Sequence, residues 1–451
     1  MATLNEQIDF ETASIVAEDY GFKAIKGEED KKESKETEHE LRALKTDIAK
    51  NKSGVDRPPV VVVMGHVDHG KTTLTQALTG RWTDQHSEEQ KRGISIKLGY
   101  ADADFYRVKE NGGYRYTSQK EKGAKYLRTV SFVDAPGHET LMAIMLSGAA
   151  IMDAAILLIA ANEKCPQPQT REHLAALETM GLENIVVVQN KIDVCSEQRA
   201  QESYAEIREF LAGTSLANSP VVPVSAHHNR NIDLLIEVLE ELFPTPERNP
   251  QAELSMNIAR SFDINRPGTL PKKLRGGVIG GSLIQGKLAV GDEIEIRPGR
   301  KTNRGWEPIV TNVTSLHSGS SERKSVAAGG LVAIGTGLDP AITKSDSMLG
   351  SLIGRPGTLP PVLEKLRMDV QLLDRAVGTS GSQQVEALRT KEPLMLTVGT
   401  STTVGIPIQV NEKWLEASLK LPVCAAEGQR IAISRRIDAR WHLIGYGILQ
   451  T

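Results

Sequence analysis

From Pro58 to about Glu247, short apolar runs alternate with amphipathic stretches. Five runs, VVVVM (60–64), TVSFV (129–133), AAILLIAA (154–161), NIVVV (184–188) and VVPV (221–224), read as buried strands. Most are followed by a helical pattern such as TTLTQALTG or TREHLAALETMG. Because the runs are continuous rather than alternating, both faces of the sheet should be covered, which predicts a mostly parallel α/β sheet. The Pro-rich FPTPERNP (243–250) breaks the pattern and marks a linker. Beyond it, Gly and β-branched residues dominate in GGVIGGSLIQGKLAVGDEIEIRPG, EPIVTNVTSLHSG and GGLVAIGTGL, and again in PLMLTVGTSTTVGIPIQV and QRIAISRRI. Short strands with closely spaced turn signals predict two antiparallel β-barrels. The expected domains are 1–57, 58–247, 248–360 and 361–451. In the first of these, Asp9 is placed to cap a short helix that Gly21 ends. The mixed-charge GEEDKKESKETEHELRALKTDIAKNK that follows reads as a solvated helix or a flexible linker.

Length and composition agree with this division. A chain of 451 residues has room for about three domains with cores of their own. The longest apolar run, Ala154 to Ala161, cannot span a bilayer, and the acidic N-terminus has no apolar signal-peptide core. Cys165, Cys195 and Cys424 lie far apart without a CxxC pair, which points to a reducing cytoplasmic setting. The net charge of −3 is unevenly distributed: residues 248–451 carry 26 basic against 18 acidic residues, a net of +8. Such a half attracts a polyanion such as RNA, although ordinary surface variation gives the same count.

The chemistry concentrates in four segments of the α/β region. GHVDHGKT, Gly65 to Thr72, follows the first strand and precedes a helix, as a phosphate-binding loop requires. Its glycines let Val67, Asp68, His69 and Gly70 wrap a phosphate with inward N–H groups, and the helix N-terminus at Thr72 and Thr73 adds positive potential. Lys71 is placed for the β- and γ-phosphates and the Thr72 hydroxyl for Mg²⁺. In DAPGH, Asp134 is positioned to hold Mg²⁺ through water and the Gly137 N–H to sense a γ-phosphate. In NKID, Asn190 and Lys191 precede Asp193, whose carboxylate accepts two hydrogen bonds from guanine that adenine cannot donate. Ser225, Ala226 and His227 open SAHH after the last strand, where backbone N–H groups can meet the guanine O6. An isolated NKxD is often a surface turn; four such segments in order, each ending a strand, specify GTP or GDP. His138 is the candidate to orient the attacking water, against the alternative of a loop histidine bonded to backbone. In RGISIKLGY, Ser95 is the hydroxyl that would complete the Mg²⁺ shell in the triphosphate state.

These segments resemble translational GTPases, and the likeness extends well past them. KRGISIKLGYADA, RSFDINRPGT, KLRGGVIGGSLIQG, GGLVAIGTGLDPAITKSD and ARWHLIGYGIL look like the gamma subunit of archaeal and eukaryotic initiation factor 2, from about residue 58 to the end. The resemblance implies a P-loop GTPase domain followed by two β-barrels. It also implies GTP-dependent carriage of initiator methionyl-tRNA to the small ribosomal subunit, with alpha and beta subunits as partners and no membrane. By the same resemblance Val67 and Ile94 form an apolar gate near His138, and Tyr100 lies close to the tRNA acceptor end. Three departures stand out. The family's four-cysteine zinc knuckle has no cysteine here between Tyr100 and Thr129, so no zinc is expected. Ser95 stands where Thr is usual. Finally, TLNEQIDFETASIVAEDYGF and RPPVVVVMGHVDHGKT look like the front of the single-chain bacterial initiation factor 2. Two other readings remain open at this point: a single-chain initiation or elongation factor without partner subunits, and a GTP-binding scaffold with negligible hydrolysis.

Overall fold

The computed structural model describes residues 59–83, 99–110, 113–135, 146, 151–246, 249–266, 268–303, 305–319, 321–377, 384–437 and 440–450. The proposed helix and linker of residues 1–57 lie outside the described residues, as do Ile94, Ser95, Gly137 and His138.

Residues 59–246 build a seven-stranded sheet from β1 (Val60–Gly65), β2 (Gly99–Glu110), β3 (Gly113–Thr117), β4 (Lys125–Asp134), β5 (Ala154–Ala160), β6 (Ile185–Asn190) and β7 (Val221–Pro223). The spatial order is β3-β2-β4-β1-β5-β6-β7. From β4 through β7 every pairing is parallel, whereas β2 runs antiparallel to both of its neighbours. Among the described residues, the helices α1 (Lys71–Thr79), α2 (Pro168–Met180), α3 (Glu197–Leu211) and α4 (Ile232–Leu242) accompany this sheet. The valine run of β1 shows why it is apolar throughout. Val60, Val62 and Met64 enter one core with Leu174, Leu177, Ile207 and Leu211 of α2 and α3. Val61 and Val63 enter a second core on the other face, with Leu74 and Leu78 of α1 and Leu235, Ile236 and Leu239 of α4.

The hairpin β2–β3 is an addition to the five strands expected from the apolar runs. Its pattern is a true alternation, Ala101, Ala103 and Phe105 inward against Asp102 and Asp104 outward, but small residues make it easy to overlook. Near its tip Arg115 is held between Glu110 at 2.6 Å and Glu121 at 2.7 Å.

The next strands are β8 (Ser255–Phe262), β9 (Val278–Gln285), β10 (Lys287–Ala289), β11 (Glu293–Thr302), β12 (Gly305–Ser318), β13 (Ser321–Arg323), β14 (Ser325–Ala327), β15 (Leu331–Thr336) and β16 (Leu352–Gly354). Six of them run β11-β16-β8-β9-β15-β12, and a β11–β12 pairing closes the ring. A second closed barrel follows, from β17 (Val362–Leu372), β18 (Leu394–Val398), β19 (Ser401–Val410), β20 (Trp414–Cys424), β21 (Arg430–Ile437) and β22 (Arg440–Gln450). Each barrel is filled by its own inward-facing Leu, Ile, Val and Met side chains. The α2/α3 core continues into both barrels through Ala259, Ala432 and Leu443. Arg430 reinforces that junction. Its guanidinium donates to the Thr179 and Glu178 carbonyls at the C-terminus of α2, at 2.9 and 3.3 Å, and lies 4.4 Å over the Tyr446 ring. No helix among the described residues is long and apolar enough to cross a membrane.

Candidate functional site

Parallel strands leave their C-terminal ends on one edge, and that edge carries the sequence-predicted segments. Gly65 ends β1 at φ +147°, where an added Cβ would lie 2.3 Å from the Leu158 carbonyl oxygen. Only glycine fits this approach of β1 to β5. Its N–H donates to His173 Nδ1 at 2.8 Å, so a buried histidine of α2 anchors the start of the loop. Burial, with Lys71, His69 and His66 adding to it, lowers the His173 pKa to about 3 and keeps the ring neutral. A single 3-10 turn, Val67–His69, follows. Val67 is half-buried, Asp68 exposed, and His69 fully buried with Nδ1 2.8 Å from the Leu158 carbonyl. Burial likewise lowers the His69 pKa to about 3.

Gly70 then turns the chain into α1 at φ +89° and offers no side-chain cap to the helix. The helix thus starts on a glycine with no side-chain cap, and its N-terminus carries the positive potential that suits an anion. Lys71 is buried at the same place, its Nζ donating to the Gly65 carbonyl at 3.0 Å and the His66 carbonyl at 2.8 Å. Thr73 lies half-buried beside it in the first turn. The Thr72 hydroxyl donates to Asp134 Oδ2 at 2.7 Å, and the Thr83 hydroxyl donates to the same oxygen at 2.8 Å. Asp134 is fully buried at the end of β4. A hydroxyl and a carboxylate at this spacing form a hard-oxygen donor set that suits Mg²⁺.

The segments assigned to the base lie past β6 and β7. Asn190 ties the two ends together: its Nδ2 donates to the His69 carbonyl at 2.9 Å, and its Oδ1 accepts from the Ala226 N–H at 3.0 Å. A Cβ on Gly70 would stand 2.8 Å from that same Nδ2, so the loop glycine also clears space for Asn190. Lys191 turns the chain at φ +62°, an uncommon conformation for a side-chain-bearing residue. Asp193 follows in the Ile192–Val194 turn, its side chain keeping 17% of its accessible surface. A hydrogen bond from Ser225, aided by His228 and His227, holds its carboxyl below the usual carboxylate range. Asp193 is thus an ionised acceptor open at the surface, while Ser225 and Ala226 are buried behind it and His227 is exposed.

Tyr100 sits apart from the phosphate loop, in the second residue of β2. Its ring packs against the core shared with the barrels. The hydroxyl is sealed from solvent without a hydrogen-bond partner, and burial pushes its ionisation upward, with Arg260 opposing and Asp346 adding. Three contributions escaped the sequence reading: His173, Thr83 and the bridging role of Asn190. Only the histidine of TREH had a local signal, its place on the buried stripe of an amphipathic helix.

Comparison with known proteins shows the family and the fold. Residues 57–245 match the family described as Elongation factor Tu GTP binding domain, and residues 364–449 that described as Initiation factor eIF2 gamma, C terminal. The Translation initiation factor 2 subunit gamma of Methanocaldococcus jannaschii is 52% identical over 410 residues, covering 89% of this chain and 100% of that protein. Its counterpart from Methanothermobacter thermautotrophicus is 55% identical over 411 residues, with 89% and 100% covered. Among solved structures, a bacterial selenocysteine-specific elongation factor EF-Sec aligns with a TM-score of 0.68 at 24% identity, over 87% of this chain and 58% of that one. Elongation factor SelB of Methanococcus maripaludis, in complex with the GTP analogue GppNHp, gives 0.64 at 22%, over 89% and 80%. Likeness at such identity shows a shared fold: a P-loop GTPase domain followed by β-barrels.

Proposed function

Because the chain belongs to the translation initiation factor 2 gamma subunit family, and is thereby a translational GTPase that hydrolyses GTP, we propose that it carries initiator methionyl-tRNA to the small ribosomal subunit. In this reading it acts in the cytoplasm as the gamma member of a trimer with alpha and beta subunits. Residues 58–247 perform the chemistry, and the barrels of 248–360 and 361–451 carry the cargo. The first 57 residues, with their likeness to the bacterial single-chain factor, are an addition to this body.

The site residues divide the work as follows. Lys71 and the N–H groups at the start of α1 hold the phosphates, where negative charge gathers during transfer. Thr72 and Asp134 would hold Mg²⁺, with Ser95 joining in the triphosphate state; the ion supplies charge neutralisation of the β- and γ-phosphate oxygens. His138 orients the water, behind an apolar gate of Val67 and Ile94. Asp193 accepts from the guanine N1–H and amino group, and the Ser225–Ala226 backbone faces O6. The hairpin β2–β3 needs no zinc in this scheme, since Arg115 with Glu110 and Glu121 joins its strands to the following turn.

The observation that carries the cargo assignment is the position of Tyr100. It follows directly on the segment Arg92 to Gly99, and its ring is packed into the core shared with the barrels. Ordering that segment by γ-phosphate therefore acts on a residue already coupled to the barrels. For Tyr100 to meet the tRNA acceptor end, β2 and the first barrel must part there. The test is a titration of methionylated initiator tRNA in excess GTP analogue or GDP, at two salt concentrations. The GTP form should bind tighter by about 5- to 150-fold, a coupling of ~1–3 kcal/mol. Salt should weaken both states while the ratio persists. Equal affinities, or no binding in either state, would remove initiator tRNA as the cargo.

A further inference from the structure

His69 poses a problem that the nucleotide site does not solve. Its Nδ1 lies 2.8 Å from the Leu158 carbonyl, which can only accept, so Nδ1 carries the proton. Nε2 of the neutral ring is then left with its lone pair. That atom is fully buried and has no hydrogen-bond partner among the described residues. It points at Glu163 Oε2, 3.4 Å away, so that one acceptor faces another. Such an arrangement asks for a positive centre between them. A third donor is at hand, because the His66 ring centroid lies 5.1 Å from that of His69. One ligand atom from each of His66, His69 and Glu163 falls within 4.8 Å of the others.

We propose that His66, His69 and Glu163 form a binding site for a divalent transition-metal ion of the Zn²⁺ or Co²⁺ class, beneath the phosphate loop and separate from the Thr72–Asp134 site. Two imidazoles and one carboxylate are the ligand chemistry of such ions and a poor match to Mg²⁺, which prefers all-oxygen shells. The 3.4 Å between His69 Nε2 and Glu163 Oε2 is already the edge of a tetrahedron with metal–ligand bonds of about 2.0–2.2 Å. His66 must turn to complete it, and only a 3.5 Å contact from the Asp68 N–H engages its Nδ1. The Nδ1–H bond to Leu158 fixes the tautomer and aim of His69, the outer-sphere support that metal-ligating histidines need. Glu163 keeps 27% of its side-chain surface, which leaves an approach for the ion from solvent. With three protein ligands the site is open and exchangeable, unlike a closed four-cysteine knuckle.

The test uses the full chain without a histidine tag, stripped with chelator and dialysed against Co²⁺ in excess Mg²⁺, which fills the oxygen site. Expected are one retained cobalt per chain, a visible absorption spectrum of nitrogen-ligated Co²⁺, and its bleaching by Zn²⁺. Glu163→Gln and His66→Asn should each weaken cobalt binding by at least about tenfold. Circular dichroism should show both variants folded, and His228→Asn, at the His228–Asp193 pair, should leave cobalt binding as it was. Failure to retain cobalt would assign the gap to a proton shared by His69 and Glu163 and overturn the proposal. So would retention insensitive to both site variants, or retention lost in His228→Asn.

Discussion

In the proposed nucleotide site, backbone shapes most of the phosphate end, with Lys71 supplying charge, whereas side chains shape most of the base end. At the phosphate end, Gly65, Gly70 and the uncapped start of α1 create the geometry, and buried His173 and His69 brace it from beneath. At the proposed base end, the polar atoms of Asp193, Ser225 and Asn190 hold the geometry. The difference follows from the two halves of the ligand. Phosphates carry charge with little shape to read, so N–H dipoles and one lysine charge can serve. Bases differ from one another in single donors and acceptors, so discrimination needs a side chain placed against each. Damage should therefore take different forms at the two ends: loss of all nucleotide binding at one, altered choice of base at the other.

The most severe break should come from Gly65→Ala. Its Cβ would meet the Leu158 carbonyl oxygen at 2.3 Å, in a backbone conformation that side chains rarely adopt. Overpacking and strain together cost about 2–6 kcal/mol, and binding of guanine and xanthine nucleotides alike should disappear in equilibrium dialysis. Asp193→Asn should instead redirect the site. Two hydrogen bonds to a charged acceptor, at about 1.5–3 kcal/mol each, are lost for guanine, whereas the new amide can donate to xanthine. Competition should show GTP weakened by about a hundredfold or more and XTP strengthened; unchanged GTP affinity would remove Asp193 as the base reader. Lys71→Ala should weaken GTP and XTP in equal proportion, by about 1.5–3 kcal/mol for one charge-assisted contact. A base-dependent loss there would erase the division between the ends.

The smallest effect concerns the bracing. His173 titrates near 3 when folded and near 6.5 when unfolded, so between those values the unfolded chain binds the extra proton. Its contribution to stability is intact above 6.5 and is lost as pH falls toward 3. By pH 5 about 2 kcal/mol should be gone, read as a drop in urea midpoint from pH 7 to 5. His173→Asn should make that slope shallower, with His69 supplying the remainder in the same direction.

The residues assigned to the base were readable as types, and Asn190, Asp193, Ser225 and Ala226 lie together past β6 and β7. The phosphate loop was equally plain as a motif, but its support was not. His173 lies 108 positions from Gly65, and Thr83 reaches Asp134 across 51. No local pattern links such pairs; only the meeting of strand ends in space does so. The hairpin β2–β3 escaped for another reason. Its inward Ala101 and Ala103 are too small to make alternation conspicuous, and their burial comes from the neighbouring strand, not from their own size. Tyr100 shows the limit of resemblance alone, since its buried place between domains could not be anticipated from its neighbours in sequence.

Asn190 holds the His69 carbonyl with one end of its amide and the Ala226 N–H with the other. Under the proposed assignment, the two halves of the nucleotide should not let go independently. Tilting the base-recognition loop pulls on the phosphate loop, and opening the phosphate loop withdraws the backbone that faces O6. Dissociation should then be a single cooperative event, slower than release from either end alone. An exchange catalyst should then need to grip only one side, with the Asn190 amide conveying the displacement to the other.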